Sequence, residues 1–140
     1  MTTYRQLIYC SRNSAADPEA ATAAIRDILA TSRVKNVSAS ITGALFAAGD
    51  QFAQVLEGPA QSVDRLMDAI RVDPRHRDIV VMPTQDVPER SFADWSMAFA
   101  TDGGVAALDI VTRAASSPDA TARQAVFDLV HRSIAKNQIW

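Results

Sequence analysis

Two polar side chains, Tyr9 and Gln54, stand in short apolar runs where each must find hydrogen-bond partners. Gln54 lies in the run from Phe52 to Leu56. Its amide has a donor end and an acceptor end, so turning the amide exchanges the two at fixed positions. Such a group beside a tyrosine hydroxyl is suited to switch between two hydrogen-bonding patterns. The residues alone leave two simpler roles open: an outward-facing Gln54 on an edge strand, and a core Tyr9 with a satisfied hydroxyl.

A second set of polar residues is suited to hold a ligand with a polar edge. The Asn36 side chain can both donate and accept hydrogen bonds, so it can meet a ligand edge that carries both kinds of group. The segment Asp73-Pro74-Arg75-His76 adds further polar side chains. On the residues alone, Asn36 is more typical of a helix C-cap or turn than of a ligand contact, whereas for His76 a solvated charged loop is an equal alternative.

The composition excludes several classes of site. Cys10 and two distant histidines, His76 and His131, form no metal-binding cluster at recognisable spacing. We find no glycine-rich phosphate loop and no paired nucleophile and base, so the residues give no support for an enzyme. A net charge of −2 and a pI of about 5.6 argue against a nucleic-acid footprint. No apolar run is long enough to cross a bilayer, and the single cysteine fits a reducing, cytoplasmic location.

Hydrophobic spacing predicts the elements that would position these residues. In chain order they are a strand Gln6–Cys10, a helix from Asp17-Pro18 to about Ser32-Arg33, strands Ser40–Phe46 and Phe52–Leu56 joined at Gly49-Asp50, a helix through Val63 and Ile70, a strand Ile79–Met82, a loop between Pro83 and Pro88, and a strand Trp95–Phe99. The order β-α-β-β-α-β-β contains the split βαβ arrangement of ferredoxin-like α+β folds. Two helices then lie on one face of a mixed sheet, and a groove between them would suit a flat ligand.

The segment Asp102-Gly103-Gly104 predicts a boundary between residues 1–101 and a helical extension, 102–140. Two helices are expected in the extension, Val105–Ala115 and a second from Asp119. We expect them to pack on the open face of the sheet or at an oligomer interface.

Several separated motifs carry a resemblance to a known family. They are Leu7-Ile8-Tyr9-Cys10-Ser11, Ser32-Arg33-Val34-Lys35-Asn36, Ile41-Thr42-Gly43, Phe52 to Pro59, Asp73-Pro74-Arg75-His76 and Trp95-Ser96-Met97. With these motifs the chain, from Tyr4 to about Phe99, resembles BLUF domains, the blue-light sensors that use flavin adenine dinucleotide (FAD).

The resemblance implies a role for individual residues. It implies a photoswitch formed by Tyr9, Gln54, Trp95 and Met97. It implies non-covalent FAD binding by Ile28, Lys35, Asn36, Gln54, Ile70, Asp73, Arg75 and His76, with the two isoleucines enclosing the flavin ring.

The resemblance also implies a mechanism. The excited flavin draws an electron and a proton from Tyr9, and the return step leaves Gln54 rotated or tautomerised. The hydrogen bond from Gln54 to a flavin carbonyl is then stronger, and absorption moves to longer wavelength. No bond to the flavin forms, so Cys10 is not required. The fifth strand would carry the change onward through Trp95 or Met97.

The implied function is that of a receptor that is not itself an enzyme. Its signal would pass to a separate, unidentified protein, and the chain would form a homodimer or higher oligomer. Two alternatives remain: a flavin-binding scaffold without a light response, and an acylphosphatase-like hydrolase. The first is favoured by Lys35, which stands where members of the family often have Asn or His. The second rests on fold analogy alone.

Overall fold

The computed structural model describes residues 2–140 and contains, within them, one sheet with two layers of helices. The elements are β1 (Tyr4–Asn13), α1 (Pro18–Ala39), β2 (Thr42–Ala48), β3 (Gln51–Gly58), α2 (Ala60–Arg71), β4 (His76–Val81), β5 (Gln85–Val87), β6 (Ala98–Thr101), α3 (Val105–Ser116) and α4 (Ala120–Asn137). This order confirms the predicted ferredoxin-like α+β fold.

Strand pairing alone brings the two candidate switch residues together. The sheet has the order β4-β1-β3-β2-β6, and β5 pairs with the first residues of β1. β3 is antiparallel to both β1 and β2, while β6 adds parallel to β2, so the sheet is mixed. In this register Tyr9 of β1 lies directly opposite Gln54 of β3.

Both faces of the sheet are covered, which explains why its strands are continuous apolar runs. All of β3 is buried. Phe52 and Leu56 belong to the core under α1 and α2, while Ala53 and Val55 belong to the core under α3 and α4. Because side chains alternate along a strand, Gln54 lies on the same face as Phe52 and Leu56, toward the α1–α2 pair.

The two C-terminal helices pack on the sheet, which confirms the first of the two placements predicted for them. Val111 of α3 and Val130 of α4 are fully buried against the strands. No helix within residues 2–140 has both the length and the apolar character that a membrane span requires.

The first helix is longer than predicted. It was expected to end near Ser32-Arg33 but continues to Ala39, and Ser40 closes it in the left-handed conformation with φ of 58°. The apolar stripe stops after Leu29, so periodicity gave no sign of the last turns. Hydrogen bonds hold them instead: Arg33 Nε donates to the Met97 carbonyl at 3.1 Å, and Asn36 Nδ2 donates to the Ser96 carbonyl at 2.8 Å.

The region before the last strand also differs from the prediction. The expected loop between Pro83 and Pro88 contains the short strand β5, which pairs with β1. The expected strand Trp95–Phe99 begins only at Ala98 as β6. Trp95 lies in a turn, where its carbonyl accepts from the Gly43 backbone N–H at 3.1 Å. Residues 91–97 are therefore fixed by individual hydrogen bonds to other elements and not by a strand ladder.

Candidate functional site

A cavity of about 270 Å³ lies between α1 and α2, above β3; we call it the ring cavity. Its lining residues are Ile28, Thr31, Ser32, Lys35, Asn36, Gln54, Leu66, Ala69, Ile70, Val72, Asp73, Arg75 and His76. Ile28 comes from α1 and Ile70 from α2, and both side chains are buried. The cavity thus offers an apolar residue from each helix and polar groups elsewhere on its wall.

A short chain of hydrogen bonds runs from Tyr9 through Gln54 to Met97. The Tyr9 hydroxyl donates to Gln54 Oε1, and Gln54 Nε2 donates to Met97 Sδ at 3.3 Å. All three side chains are almost completely buried. Burial is the main reason that the pKa of Tyr9 is raised above its ordinary value, with a further contribution from the Asp73 charge. The phenol therefore keeps its proton and acts as a donor to the amide.

Asn36 is a wall residue of the ring cavity and not a helix cap. The cap is Ser40, whose backbone N–H bonds to carbonyls within α1. The Asn36 side chain is 1% exposed, and its Nδ2 is engaged by the Ser96 carbonyl. Within residues 2–140 no hydrogen bond uses its Oδ1. That oxygen is the acceptor which this wall can offer to a ligand N–H.

Asp73 and Arg75 form a two-pronged ion pair at one end of the cavity. Arg75 Nε donates to Asp73 Oδ1 at 3.0 Å, and Nη2 donates to Oδ2 at 2.7 Å. These side-chain hydrogen bonds lower the pKa of Asp73, so both groups are charged at neutral pH and their charges offset each other.

His76 is buried and lies against Tyr9; it is not a solvated loop residue. Its Nδ1 is 2.9 Å from Ser11 Oγ, and its ring meets those of Tyr9 and Phe52 edge-on at 5.8 and 5.3 Å between centroids. Burial lowers the pKa of His76, so the imidazole is neutral at pH 7. A neutral ring accepts or donates one hydrogen bond here but adds no positive charge.

Of the remaining residues considered from the sequence, Lys35 and Met97 lie at the site, and Trp95 and Cys10 lie outside it. Lys35 lines the ring cavity from the exposed side of α1. Met97 contacts Gln54, whereas Trp95 is 37% exposed and does not line the cavity. Cys10 lies in the core under α3 and α4, where burial raises the pKa of its thiol to about 12. The structure therefore brings Tyr9, Gln54 and Met97 together and leaves Trp95 apart.

Sequence reasoning missed several residues that shape the site. Thr31 and Ser32 line the cavity, Arg33 holds the Met97 carbonyl, and the Ser96 carbonyl orients Asn36. A helical wheel extended beyond Leu29 would have placed the polar residues of α1 on the cavity side.

The residues present fit a planar ring with a polar edge. Two β-branched apolar side chains on facing helices can cover the ring faces, and the Gln54 amide and Asn36 Oδ1 can meet its edge. Cavities for small ligands measure about 300–1,000 Å³. At about 270 Å³ the ring cavity lies just below this range, which suits a small planar ring.

Comparison with known proteins identifies a family that binds a ligand of this kind. Residues 4–98 match the family described as sensors of blue-light using FAD. The photoactivated adenylate cyclase subunit beta of Euglena longa is 35% identical over 95 residues, which cover 64% of this chain and 11% of that protein. The blue light- and temperature-regulated antirepressor BluF of Escherichia coli (strain K12) is 34% identical over 73 residues, 52% of this chain and 18% of that protein. The chain thus spans about a tenth to a fifth of the length of these curated relatives.

Solved structures share the fold over nearly the full length of the chain. BlrB, a BLUF protein in its dark state, is 35% identical with a TM-score of 0.75, covering 96% of this chain and 97% of that one. BlsA in its photo-activated state is 27% identical with a TM-score of 0.78, covering 98% and 99%. The expected cofactor, FAD, is the one that defines the family. By family match, relatives and fold together, this chain belongs to the BLUF family of blue-light sensors that use FAD.

Proposed function

We propose that this chain is a blue-light receptor whose switch is the buried amide of Gln54, set by Tyr9 and read out by Met97. The observation that carries the proposal is the chain of hydrogen bonds Tyr9–Gln54–Met97 at the wall of the ring cavity. Both ends of one amide are occupied there, one by a hydroxyl that donates and one by a sulfur that only accepts. A rotation of this amide cannot preserve both contacts.

In this proposal Ile28 and Ile70 cover the ring faces, and Asn36 and Gln54 bond to its edge. The bound flavin supplies the absorption of blue light and, when excited, the driving force for electron and proton transfer. Tyr9 is the donor of both, and its proton is already directed at Gln54 Oε1. When the electron and proton return to Tyr9, Gln54 is left rotated or as its tautomer.

The rotated amide would change its neighbours in a defined way. Its oxygen would point toward Met97 Sδ, which carries no proton, so the contact between Gln54 and Met97 would be lost. Met97 directly precedes β6, and Phe99 of β6 stacks on Trp140 with 5.3 Å between ring centroids. The Ile139 backbone N–H also donates to the Phe99 carbonyl at 2.7 Å. We place the output at this edge strand and the C-terminal tail that covers it.

The first test is the absorption spectrum of the purified protein before blue light, after it, and during dark recovery. A flavin spectrum that shifts to longer wavelength and returns supports the proposal. A static flavin spectrum would point to a scaffold without a light response. If the protein binds no flavin even after reconstitution, the proposal is wrong. The acylphosphatase-like hydrolase is then the alternative to test.

Replacing Gln54 with leucine should abolish the red shift, because leucine offers no group that can exchange donor for acceptor. Gln51→Leu is the matched control, since Gln51 lies on the same strand but bonds to Thr112 Oγ1 of α3 at 2.8 Å. Light-minus-dark difference spectra of both variants measure the red shift, which we expect to be absent in Gln54→Leu and present in Gln51→Leu. A normal shift in Gln54→Leu would show that another group is the switch.

Replacing Met97 with leucine should keep the red shift but remove the light-induced change at β6 and the tail, because leucine has no acceptor for Gln54 Nε2. Hydrogen exchange followed by mass spectrometry over residues 98–101 and 138–140, in dark and light, measures that change. Met82→Leu is the control, since Met82 is a buried methionine in the core on the other face of the sheet. Equal light responses in wild type and Met97→Leu would exclude this route.

The receiver of the signal is proposed to be a separate protein or a second copy of this chain. The relatives include an adenylate cyclase subunit and an antirepressor, but the chain covers only a small part of either. We propose that residues 1–101 sense light and that residues 102–140, which pack on the sheet, pass the signal to the receiver.

A further inference from the structure

Another cavity lies on the opposite face of the sheet from the ring cavity, and we call it the α3 cavity. It measures about 290 Å³ and is bounded by residues of β1, β3, β4 and α3. Within residues 2–140 no residue lines both the α3 cavity and the ring cavity. Cys10, which belongs to the core under α3 and α4, is part of its wall, so the sheet separates the two spaces. A ligand in the α3 cavity would therefore be distinct from the flavin.

Gln51 presents one end of a buried amide to the α3 cavity. The residue is 7% exposed, and its Nε2 donates to Thr112 Oγ1 at 2.8 Å. Its Oε1 has no hydrogen-bond partner among the described residues, yet it is not sealed off, because no sealed side-chain oxygen or nitrogen among them lacks a partner. Since Gln51 lines the α3 cavity, this oxygen is available there to an N–H or O–H group of a ligand.

Arg12 and Asp78 give the wall one positive and one negative group that are not hydrogen-bonded to each other. Arg12 Nε lies 3.8 Å from Asp78 Oδ2. Each has a firmer partner outside the wall: Arg12 Nη1 donates to Asp50 Oδ2 at 3.2 Å. Asp78 Oδ2 accepts from Arg77 Nη1 at 2.9 Å. In the part of the chain that the structure describes, Arg12 Nη2 and Asp78 Oδ1 make no hydrogen bond, so a donor and an acceptor remain unused.

Val80, Ala115 and Cys10 form an apolar part of the same wall. Burial raises the pKa of the Cys10 thiol to about 12, so this group is uncharged at neutral pH. The charged residues of the wall are then Arg12 and Asp78, and their charges sum to zero. A simple anion in the cavity would face the carboxylate, and a simple cation would face the guanidinium. The wall is suited to a small ligand that carries both charges.

We propose that the α3 cavity binds a small zwitterion of the α-amino-acid class with a short aliphatic side chain. Its carboxylate bonds to Arg12, and its ammonium bonds to Asp78 and to Gln51 Oε1. Its side chain packs against Val80 and Ala115. A polyol could bond to the same groups but would leave both charges without a counter-charge. Because the contacts come from β1, β3, β4 and α3, the bound molecule fastens α3 to the sheet.

The test is isothermal titration calorimetry of the purified full chain, kept in the dark, with L-alanine and L-valine as probes. We expect at least one of them to bind with a Kd of about 0.1–1 mM, as suits a ligand of so few atoms. Each probe is compared with two analogues that lack one charged group: propanoate and ethylamine for alanine, 3-methylbutanoate and isobutylamine for valine. The analogues should bind at least about tenfold more weakly, because each loses a charge-assisted contact.

Two variants test the residues of the wall. Arg12→Gln should weaken binding of the amino acid at least about tenfold, and Gln51→Leu at least about threefold. Arg77→Gln is the matched control, since Arg77 pairs with the same two aspartates, Asp50 and Asp78, but does not line the cavity. It should change the affinity less than about threefold. Arg12 is half-exposed, so its variant should fold like wild type and keep its flavin.

Hydrogen exchange over residues 112–116 should slow when the amino acid is bound, because the ligand fastens this part of α3 to the sheet. The proposal is overturned if neither amino acid binds at up to about 20 mM, far above the expected Kd. It is also overturned if an analogue with one charge binds as tightly, or if Arg77→Gln loses as much affinity as Arg12→Gln. Binding of glycerol that depends equally on Arg12 and Gln51 would show a polyol site instead. No step of this test uses light, so its result is independent of the proposed photoswitch.

Discussion

Tyr9→Phe is expected to keep the flavin and lose the light-induced red shift completely. Phenylalanine fills the same space in the core under α1 and α2, so binding of FAD should change by less than about threefold and stability by about 1 kcal/mol. What disappears is the hydroxyl that donates to Gln54 Oε1, together with the electron and proton that the switch requires. Because burial raises the pKa of Tyr9, the phenol holds its proton throughout the neutral range in wild type. The wild-type shift should therefore be constant between about pH 6 and 8.

The chain supplies its own control for this experiment, since it contains just two tyrosines. Tyr4 stands at the start of the same strand, half-buried beneath the Arg90 guanidinium, which lies 4.5 Å from the centre of its ring. Tyr4→Phe should keep a wild-type difference spectrum. A reversible red shift of normal size in Tyr9→Phe would mean that the proton and electron come from elsewhere, and the switch proposed above would be wrong.

The strands that carry the central part of this site are predictable from sequence, and their register in the folded sheet then brings its residues together. Side chains along β1 and β3 alternate between the two faces of the sheet. Antiparallel pairing places Tyr9 opposite Gln54. What periodicity left open was which face Gln54 occupies, because both faces of the sheet are covered. That choice depends on helices distant in sequence, so only the assembled core decides it.

The contacts around residues 91–97 are the part that local patterns could not predict. Trp95 and Met97 are both large apolar residues, and the sequence gives no reason to bury one rather than the other. Met97 is buried because Arg33 holds its carbonyl and Gln54 donates to its sulfur. The same contacts extend α1 beyond its apolar stripe, so the helix end and the choice of Met97 have one physical cause. Long-range polar contacts of this kind leave no periodic trace in a sequence.

Glu57 is the strongest example of such a contact and gives the largest expected effect on stability. Its side chain is fully buried, and Oε1 accepts from the Phe92 backbone N–H at 2.5 Å and from Thr42 Oγ1 at 3.1 Å. Its Oε2 accepts from the Ser91 backbone N–H at 2.9 Å. From sequence Glu57 only closes a strand before Gly58-Pro59, yet it ties residues 91–97, and so Met97, to the strand that carries Gln54.

Replacing Glu57 with alanine should lower the free energy of unfolding by about 3–5 kcal/mol, because it leaves buried donors without an acceptor. Urea denaturation of the dark, flavin-loaded protein measures this, and Glu57→Gln should fall between, since its amide keeps one acceptor oxygen. Glu89→Ala, an exposed carboxylate nearby, should change the midpoint little. In Glu57→Ala, hydrogen exchange should rise over residues 91–97 while the paired residues of β1 and β3 stay protected. A loss below about 1 kcal/mol would show that water replaces the carboxylate, and residues 91–97 would then not depend on it.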